Sequence, residues 1–515
     1  MSQSLSLSKG EIATHTLVVM IGAFMAILDT TIVDIALPKM MAPLKTDLYG
    51  IQWVVTAYMI AAAVTLPLIE WAEKLVGLKA LYVTGVFLFG FSSYMCGISQ
   101  ELYQMVLFRS IQGFAEALII VSAQVILFTI YPPQQKGIAM GIFGLGASFA
   151  PAVGPTLGGW LTEHISWNWI FFINVPVSVL LTILSLLFLK NLSPERKLYP
   201  FNVVSFFLIS GATISTLIVL SKGQQLGWFT SNPIAFLTAL AVILYATYLV
   251  WEVRSKNRLI DLSVFRKLNF SVSFVVFLLV LGFSMYALFY AIPLYFEFLK
   301  GLSTFTTGVL LLPFAVSIAV FSVVAGAISD RWSAGGTLLM AILIYLGSIF
   351  LFIRHYDLYT PKEEASLELA LMGVGMGLFF APVTVIALRG LEEKTILVIS
   401  LLDYIRFIGG SFGTAIATNI LKGNSAFHYD EVSSLQTLNL SFLNERLQEL
   451  SQTFVGSSYN MEEALIKAYY SVGALQHKLA YSWAFQDLFV WSGVFAVIGL
   501  IPLVFLGKEW LYNRY

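Results

Sequence analysis

The sequence predicts an all-α membrane protein of fourteen transmembrane helices, laid out as 6 + 2 + 6, with both termini on the cytoplasmic side. Three observations carry this reading. Of 515 residues, 58% are hydrophobic and only 11% are charged, whereas soluble domains average about 25% charged. Fourteen apolar runs approach the ~20 residues that cross about 30 Å of hydrocarbon as a helix. Segments in the first half recur, degenerately, in the second.

The elements follow in order. After a polar segment 1–14, the run 15–37 lacks a small-residue cleavage site behind it, so it reads as a retained span and not a signal peptide. Spans 51–72, 79–99, 103–130, 137–162 and 169–190 complete a first six-helix bundle over 15–190. Spans 201–221 and 233–252 lie in a basic-flanked insert, 191–269. Spans 270–296, 304–328, 335–354, 366–389, 395–421 and 482–507 form the second bundle over 270–507, before a tail at 508–515. With the N-terminus inside, 17 of the 29 Lys+Arg fall in cytoplasmic segments or span ends, which sets the orientation. Ile35-Ala36-Leu37-Pro38 closes span one as Tyr290-Ala291-Ile292-Pro293 closes span nine, and Glu70-Trp71-Ala72-Glu73-Lys74 is echoed at Gly326–Arg331. Two such halves related by an axis along the membrane normal describe the major facilitator architecture, with a substrate site between them.

Composition also excludes. Lys+Arg and Asp+Glu both total 29, so charge points to no nucleic-acid partner. The single Cys96 leaves no internal disulfide and no thiolate metal cluster. There is no phosphate-binding loop, no Ser-His-Asp ordering and no histidine cluster, so a membrane-embedded enzyme or sensor is the weaker class and no cofactor is expected. Energy for transport then comes from an ion gradient. A proton crossing 100 mV releases about 2.3 kcal/mol.

Ionisable residues inside the spans mark the polar route. Asp29 lies two-thirds along span one, and Arg109 with Gln112 lies at a similar depth in span four. Glu116 is two turns beyond Arg109, and Asp403 and Arg406 are helix neighbours in span thirteen. A charge at mid-membrane costs at least about 2.5–3.5 kcal/mol on insertion scales, so each must face a partner or water. The functional reading makes Asp29, Arg109, Gln112, Glu116, Asp403 and Arg406 proton-coupling or substrate residues. The structural reading makes Asp29 a cap, Arg109 a brace and Asp403–Arg406 a self-neutralising pair. Asp34, Glu297 and Asp487 read as solvated rim positions. In span five, Gly144, Pro151, Gly154, Pro155, Gly158 and Gly159 permit close approach of another helix and a bend.

Five segments make a family resemblance. Leu28-Asp29-Thr30-Thr31-Ile32-Val33-Asp34-Ile35-Ala36-Leu37-Pro38, Phe108-Arg109-Ser110-Ile111-Gln112-Gly113, Ala150 through Gly159, Trp167 through Pro176, and Asp261-Leu262-Ser263-Val264-Phe265 resemble motifs of the fourteen-span drug:proton antiporters of the major facilitator superfamily, EmrB type. The resemblance implies proton-driven export of hydrophobic toxic compounds through the inner membrane. It also implies a periplasmic membrane-fusion adaptor and an outer-membrane channel as partners. Export of an endogenous lipid or fatty acid is the alternative. The family's loop latch is degraded in the first half and kept in the second, so it is expected at Asp330 and Arg331. Asn168 stands where many members have arginine, and the two extra acids, Glu116 and Asp403, inherit no role from the family.

The outer segment 422–481 is long and polar. Leu440, Leu443, Leu447, Leu450 and Phe454 follow the spacing of one helix face, so an amphipathic helix there is expected either to lie on the protein's own rim or to dock the adaptor.

Overall fold

The computed structural model describes residues 7–192, 200–438, 440–455 and 460–506. The tail 508–515 and the basic residues Arg196, Lys197, Lys508 and Arg514 lie outside them, as do the side chains of Pro151, Pro155, Leu440 and Leu443. The described residues are almost entirely helical and contain no strand.

Local signals fix the helix ends. α1 (Lys9–Met40) begins at a capping box in which the Ser8 side chain accepts the Glu11 N–H and Glu11 accepts the Ser8 N–H. α2 (Trp53–Thr65) continues through a tight turn into Ile69–Val76 and stops at Gly77, whose φ of +86° few other residues adopt. The first half goes on with α3 (Leu78–Gly97), α4 (Leu102–Ile130), α5 (Lys136–His164) and α6 (Asn174–Phe188). The two extra helices are α7 (Val203–Leu226) and α8 (Asn232–Arg254). The second half holds α9 (Leu268–Leu299), α10 (Leu312–Arg331), α11 (Ala334–Leu351), α12 (Lys362–Leu388), α13 (Thr395–Leu438), α14 (Leu440–Val455) and α15 (Met461–Val504).

Thirteen helices among the described residues are long and apolar enough to cross a membrane. The remaining expected span, 137–162, falls on α5, a single helix of 29 residues. α4 is buried along most of its length, as a helix at the centre of a bundle should be. α8 turns Phe236, Val242, Ile243 and Val253 outward, the pattern of a helix bathed in lipid.

The halves meet through small residues. Along α5 and α10 the backbones nearly touch: a Cβ on Gly137 would lie 2.6 Å from the Gly326 carbonyl oxygen, and one on Gly141 2.4 Å from that of Ser322. Between lipid-soluble helices no hydrophobic drive remains, so such packing supplies the attraction. α9 contains two wide, π-helical stretches, Phe277–Met285 and Tyr295–Leu299, on either side of Pro293. At the first, Gly282 abuts Gly409 and Gly413 of α13.

The expected outer segment 422–481 is mostly helix. α13 and α15 each run 44 residues, roughly 66 Å at 1.5 Å per residue, and so project well beyond a 30 Å hydrocarbon layer. α14 lies against α15. Leu447 is buried, Leu450 and Phe454 are half-buried, and the Lys467 ammonium sits 5.9 Å from the Phe454 ring. The apolar face of this helix therefore packs at least in part on its own hairpin.

Candidate functional site

Two clusters of buried charge occupy the bundle, and they differ in how completely they are satisfied. The first belongs wholly to the first half. α1 supplies Asp29, α3 Ser93, α4 Arg109 and Gln112, and α6 Asn174. Asp29 Oδ2 accepts from Arg109 Nη1, while Oδ1 accepts from Gln112 Nε2 at 3.0 Å and Asn174 Nδ2 at 2.8 Å. Gln112 spends its other valences on Ser93 Oγ (2.7 Å) and on Arg109 (2.8 Å). Arg109 Nε donates to the Val54 carbonyl at 3.2 Å, and the guanidinium lies 4.0 Å from the centre of the Tyr58 ring. Asp29 is 0% and Arg109 1% exposed. One acid and one base, hydrogen-bonded and dry, make a neutral knot that ties five helices together.

The second cluster spans the boundary between halves. Asp403 and Arg406 project from α13, three residues apart, with Arg406 Nε 3.2 Å from Asp403 Oδ1. That approach is poorly aligned, and Arg406 Nε makes no hydrogen bond of normal geometry. Gln124 of α4 donates to Asp403 Oδ2 at 2.5 Å, a link between residues 279 apart in the chain. Glu116, two turns earlier on α4, is 2% exposed, and Arg406 is the cation acting on it most strongly. Tyr58 of α2 faces it, but neither the Tyr58 hydroxyl nor Glu116 Oε2 completes a hydrogen bond. Two acids here share one arginine. The cluster is electrically neutral only when one carboxyl carries a proton, and an unpaired buried carboxylate is costly.

The boundary is closed at one end. Asp330, in the last turn of α10, accepts the backbone N–H of Gly137 at 2.7 Å and of Ile138 at 2.9 Å, so it caps α5 across the halves. Its neighbour Arg331 is exposed. At the same end, α13 packs on Leu66–Val76. Toward the hairpin end the halves part around a cavity of about 250 Å³ between α1, α2, α7 and α13. Asp34, near the outer end of α1, lines this cavity and is exposed.

In α5 the glycines divide by partner. A Cβ on Gly154 would lie 2.2 Å from Thr31 Oγ1 and one on Gly158 2.8 Å from Ile32 Cγ1, both on α1. Gly144 faces Ser322 of α10 at 3.2 Å, and Gly159 meets nothing closer than 4.0 Å. The structure thus gathers Asp29, Arg109 and Gln112 in one cluster and Glu116, Asp403 and Arg406 in another. Sequence reasoning missed Ser93, Asn174 and Gln124. Asn174 stood inside a recognised segment, but an amide carries no signal of which helix it meets.

Among the described residues no group of three or more His, Cys, Asp or Glu could hold a metal ion. Helices long and apolar enough to cross a membrane, closed at one end around buried charges, are the architecture of a membrane transporter. A sequence profile of the Major Facilitator Superfamily matches residues 19–414, and the chain belongs to that family. It is 27% identical to the multidrug export protein EmrB of Haemophilus influenzae, over 97% of this chain and 96% of the relative. It is 27% identical to the fatty acid resistance protein FarB of Neisseria gonorrhoeae, over 96% of both. The fold is similar to that of the proton:xylose symporter XylE bound to 6-bromo-6-deoxy-D-glucose, with a TM-score of 0.58 and 13% identity over 99% of this chain and 98% of that one. The chain is a multi-pass protein of the bacterial inner membrane.

Proposed function

We propose that this protein is a proton-coupled exporter of hydrophobic toxic compounds, with Glu116 as the coupling acid. The observation that carries it is the charge imbalance at the boundary: Glu116 and Asp403 share Arg406, and Glu116 Oε2 has no hydrogen-bond partner. Opening the halves at the Asp330 end, with closure at the hairpin end, shifts α4 against α13. Glu116 then loses its cation and changes its affinity for a proton, which is the linkage an antiporter needs. Asp29 serves this reading as a brace, because its oxygens are already filled.

The orientation puts the Asp330 end in the cytoplasm, following the excess of Lys and Arg there. With α5 as the fourteenth crossing, both termini lie on that side and the cavity opens outward. The projecting α13–α15 hairpin then stands in the periplasm. We assign it to a membrane-fusion adaptor that leads to an outer-membrane channel, since the relative EmrB shares nearly the whole chain. Deleting 430–470 should abolish copurification with such an adaptor; undiminished copurification refutes the assignment. The likeness to FarB supports a second reading, in which the compound exported is a fatty acid.

The deciding experiment is substrate-induced proton release from purified protein in proteoliposomes. Wild type should release protons on addition of a hydrophobic drug or a fatty acid, whichever is carried, and Glu116→Gln should release none while still binding it. Equal release from both proteins removes Glu116 as the coupler.

A further inference from the structure

We propose that the cavity where α7 and α8 meet the start of α2 binds an anionic phospholipid of the outer leaflet, its phosphate on the Lys222 ammonium. The inference is independent of what the protein exports and takes from the export reading only the orientation of the chain.

Lys222 lies one turn before the end of α7, at the hairpin end of the bundle, and is 8% exposed. A lysine near a span end ordinarily lays its stem on apolar surface and lifts its charge to water. This one turns inward. Its Nζ donates to Gln52 Oε1 at 2.9 Å, to the Tyr49 carbonyl at 3.0 Å and to Gln225 Oε1 at 3.4 Å. All three acceptors are neutral, and the Trp53 ring, 5.8 Å away, adds only a π face. Asp47, the acid that acts on it, is exposed, accepts the Gly50 N–H at 2.7 Å and forms no ion pair with it. The donors are filled but the charge is not neutralised, a costly state for a buried cation.

The ammonium borders a cavity of about 420 Å³ walled by Trp53, Ile218 of α7, and Ile234 and Leu237 of α8. Of the other lining residues, Tyr49, Leu226 and Pro233 are exposed, and Phe229 between α7 and α8 faces outward. The cavity therefore opens on the flank that lipid bathes. Tyr and Trp concentrate at headgroup level in membrane proteins, and Tyr49 and Trp53 stand on either side of Lys222's acceptors.

A phosphate diester brings one negative charge and free oxygens that accept strongly from an ammonium. Gln225 holds the longest of the three bonds and is exposed, so its amide can swing aside and free that donor. The hydrocarbon then lies on Ile218 and Leu237 and runs out into the bilayer. A zwitterionic lipid would present an ammonium of its own, which Lys222 repels. A small soluble anion would leave the apolar walls unused. A fatty acid shares the chemistry of a charged head on a chain, and the test separates the two sources.

Binding of dioleoyl phosphatidylglycerol and dioleoyl phosphatidylethanolamine to the full-length, delipidated protein, read by native mass spectrometry, tests this. Wild type should prefer phosphatidylglycerol. Lys222→Gln should erase the preference, a loss of about fivefold or more for one lysine acting on an anionic headgroup. Lys222→Arg should keep it. Leu237→Trp fills the cavity without touching the charge and should also weaken phosphatidylglycerol binding, so the result does not hang on one variant. Lys39→Gln removes an exposed charge at the outer end of α1 and should change nothing. Equal binding of both lipids by wild type overturns the proposal, as does a preference that survives Lys222→Gln. Lys222-dependent displacement of phosphatidylglycerol by a lower concentration of oleate gives the site to a fatty acid and overturns the phospholipid. Displacement by equimolar inorganic phosphate reduces the site to one for a bare anion and overturns it as well. Binding is read without transport, so a failed export assay leaves each of these outcomes intact.

Discussion

Asp330 holds the backbone N–H of Gly137 at 2.7 Å across the boundary between the two halves. The contact joins the end of α10 to the beginning of α5, beside the point where Gly326 and Gly137 bring the two backbones together. A carboxylate at a helix N-terminus gains from the free N–H groups and from the helix dipole. This bond therefore favours the state that is shut at that end.

Asp330→Ala removes both acceptors from the first turn of α5. Hydrogen bonds to charged groups are worth about 1.5–3 kcal/mol each, less what water restores, so the shut state should lose population. A cysteine placed at the buried Ser329 reports it: maleimide labelling should quicken in the Asp330→Ala background. An unchanged labelling rate means the contact does not hold the gate.

Asp29→Asn and Glu116→Gln should separate cleanly. The first leaves the Arg109 charge buried without its counter-ion, and breaking a buried pair this way costs about 3–5 kcal/mol. Thermal stability in detergent should fall sharply, and Asp29→Asn with Arg109→Gln should recover part of it. Glu116→Gln removes the surplus acid of a cluster in which two carboxyls share Arg406, so its stability should match or exceed wild type. The opposite ranking would show that Glu116, and not Asp29, is the structural brace.

Gly141→Ala should drive α5 from α10, since its Cβ would meet the Ser322 carbonyl at 2.4 Å. Gly347→Ala is the control. Nothing lies within 4 Å of that position in α11, and alanine gains up to about 1 kcal/mol over glycine in a helix. Transport should be lost in the first and kept in the second. Full transport by Gly141→Ala would show that the interface can widen without cost.

Asp261 pins the linker before α9 to Lys394 at 2.5 Å. Burial pushes its carboxyl up, but the Lys394 and Ser263 hydrogen bonds outweigh it and hold the group at about 2. A lowered value in the folded protein stabilises above the unfolded value, near 3.9, and the benefit disappears as pH falls toward 2. The melting-temperature gap between wild type and Asp261→Asn should therefore be the same at pH 8 and pH 5. A gap that closes between those values would contradict this assignment.

Much of the architecture was readable because lipid imposes it. Apolar runs of span length located the helices, and depth arithmetic placed Arg109 level with Asp29, where the two do pair. The i,i+3 spacing of Asp403 and Arg406 was likewise enough to bring them together. Gln124 was invisible because a buried glutamine looks like any polar residue until its partner, 279 residues on, is in place. That Asp34 lines a cavity was invisible too, because distance along a helix does not say which neighbours it faces. Within 422–481 the spacing of Leu447, Leu450 and Phe454 marked α14, but the extensions of α13 and α15 were hidden, because hydropathy finds where a helix crosses lipid and both continue after the lipid ends.

That continuity has a mechanical meaning. α13 carries Asp403 and Arg406 in its deep portion and reaches the hairpin without a break. A stiff rod swings at its far tip whenever its root tilts, so loss or gain of one proton beside Arg406 would be amplified into lateral travel outside the bilayer. A partner gripping that tip would feel each turnover as a tug.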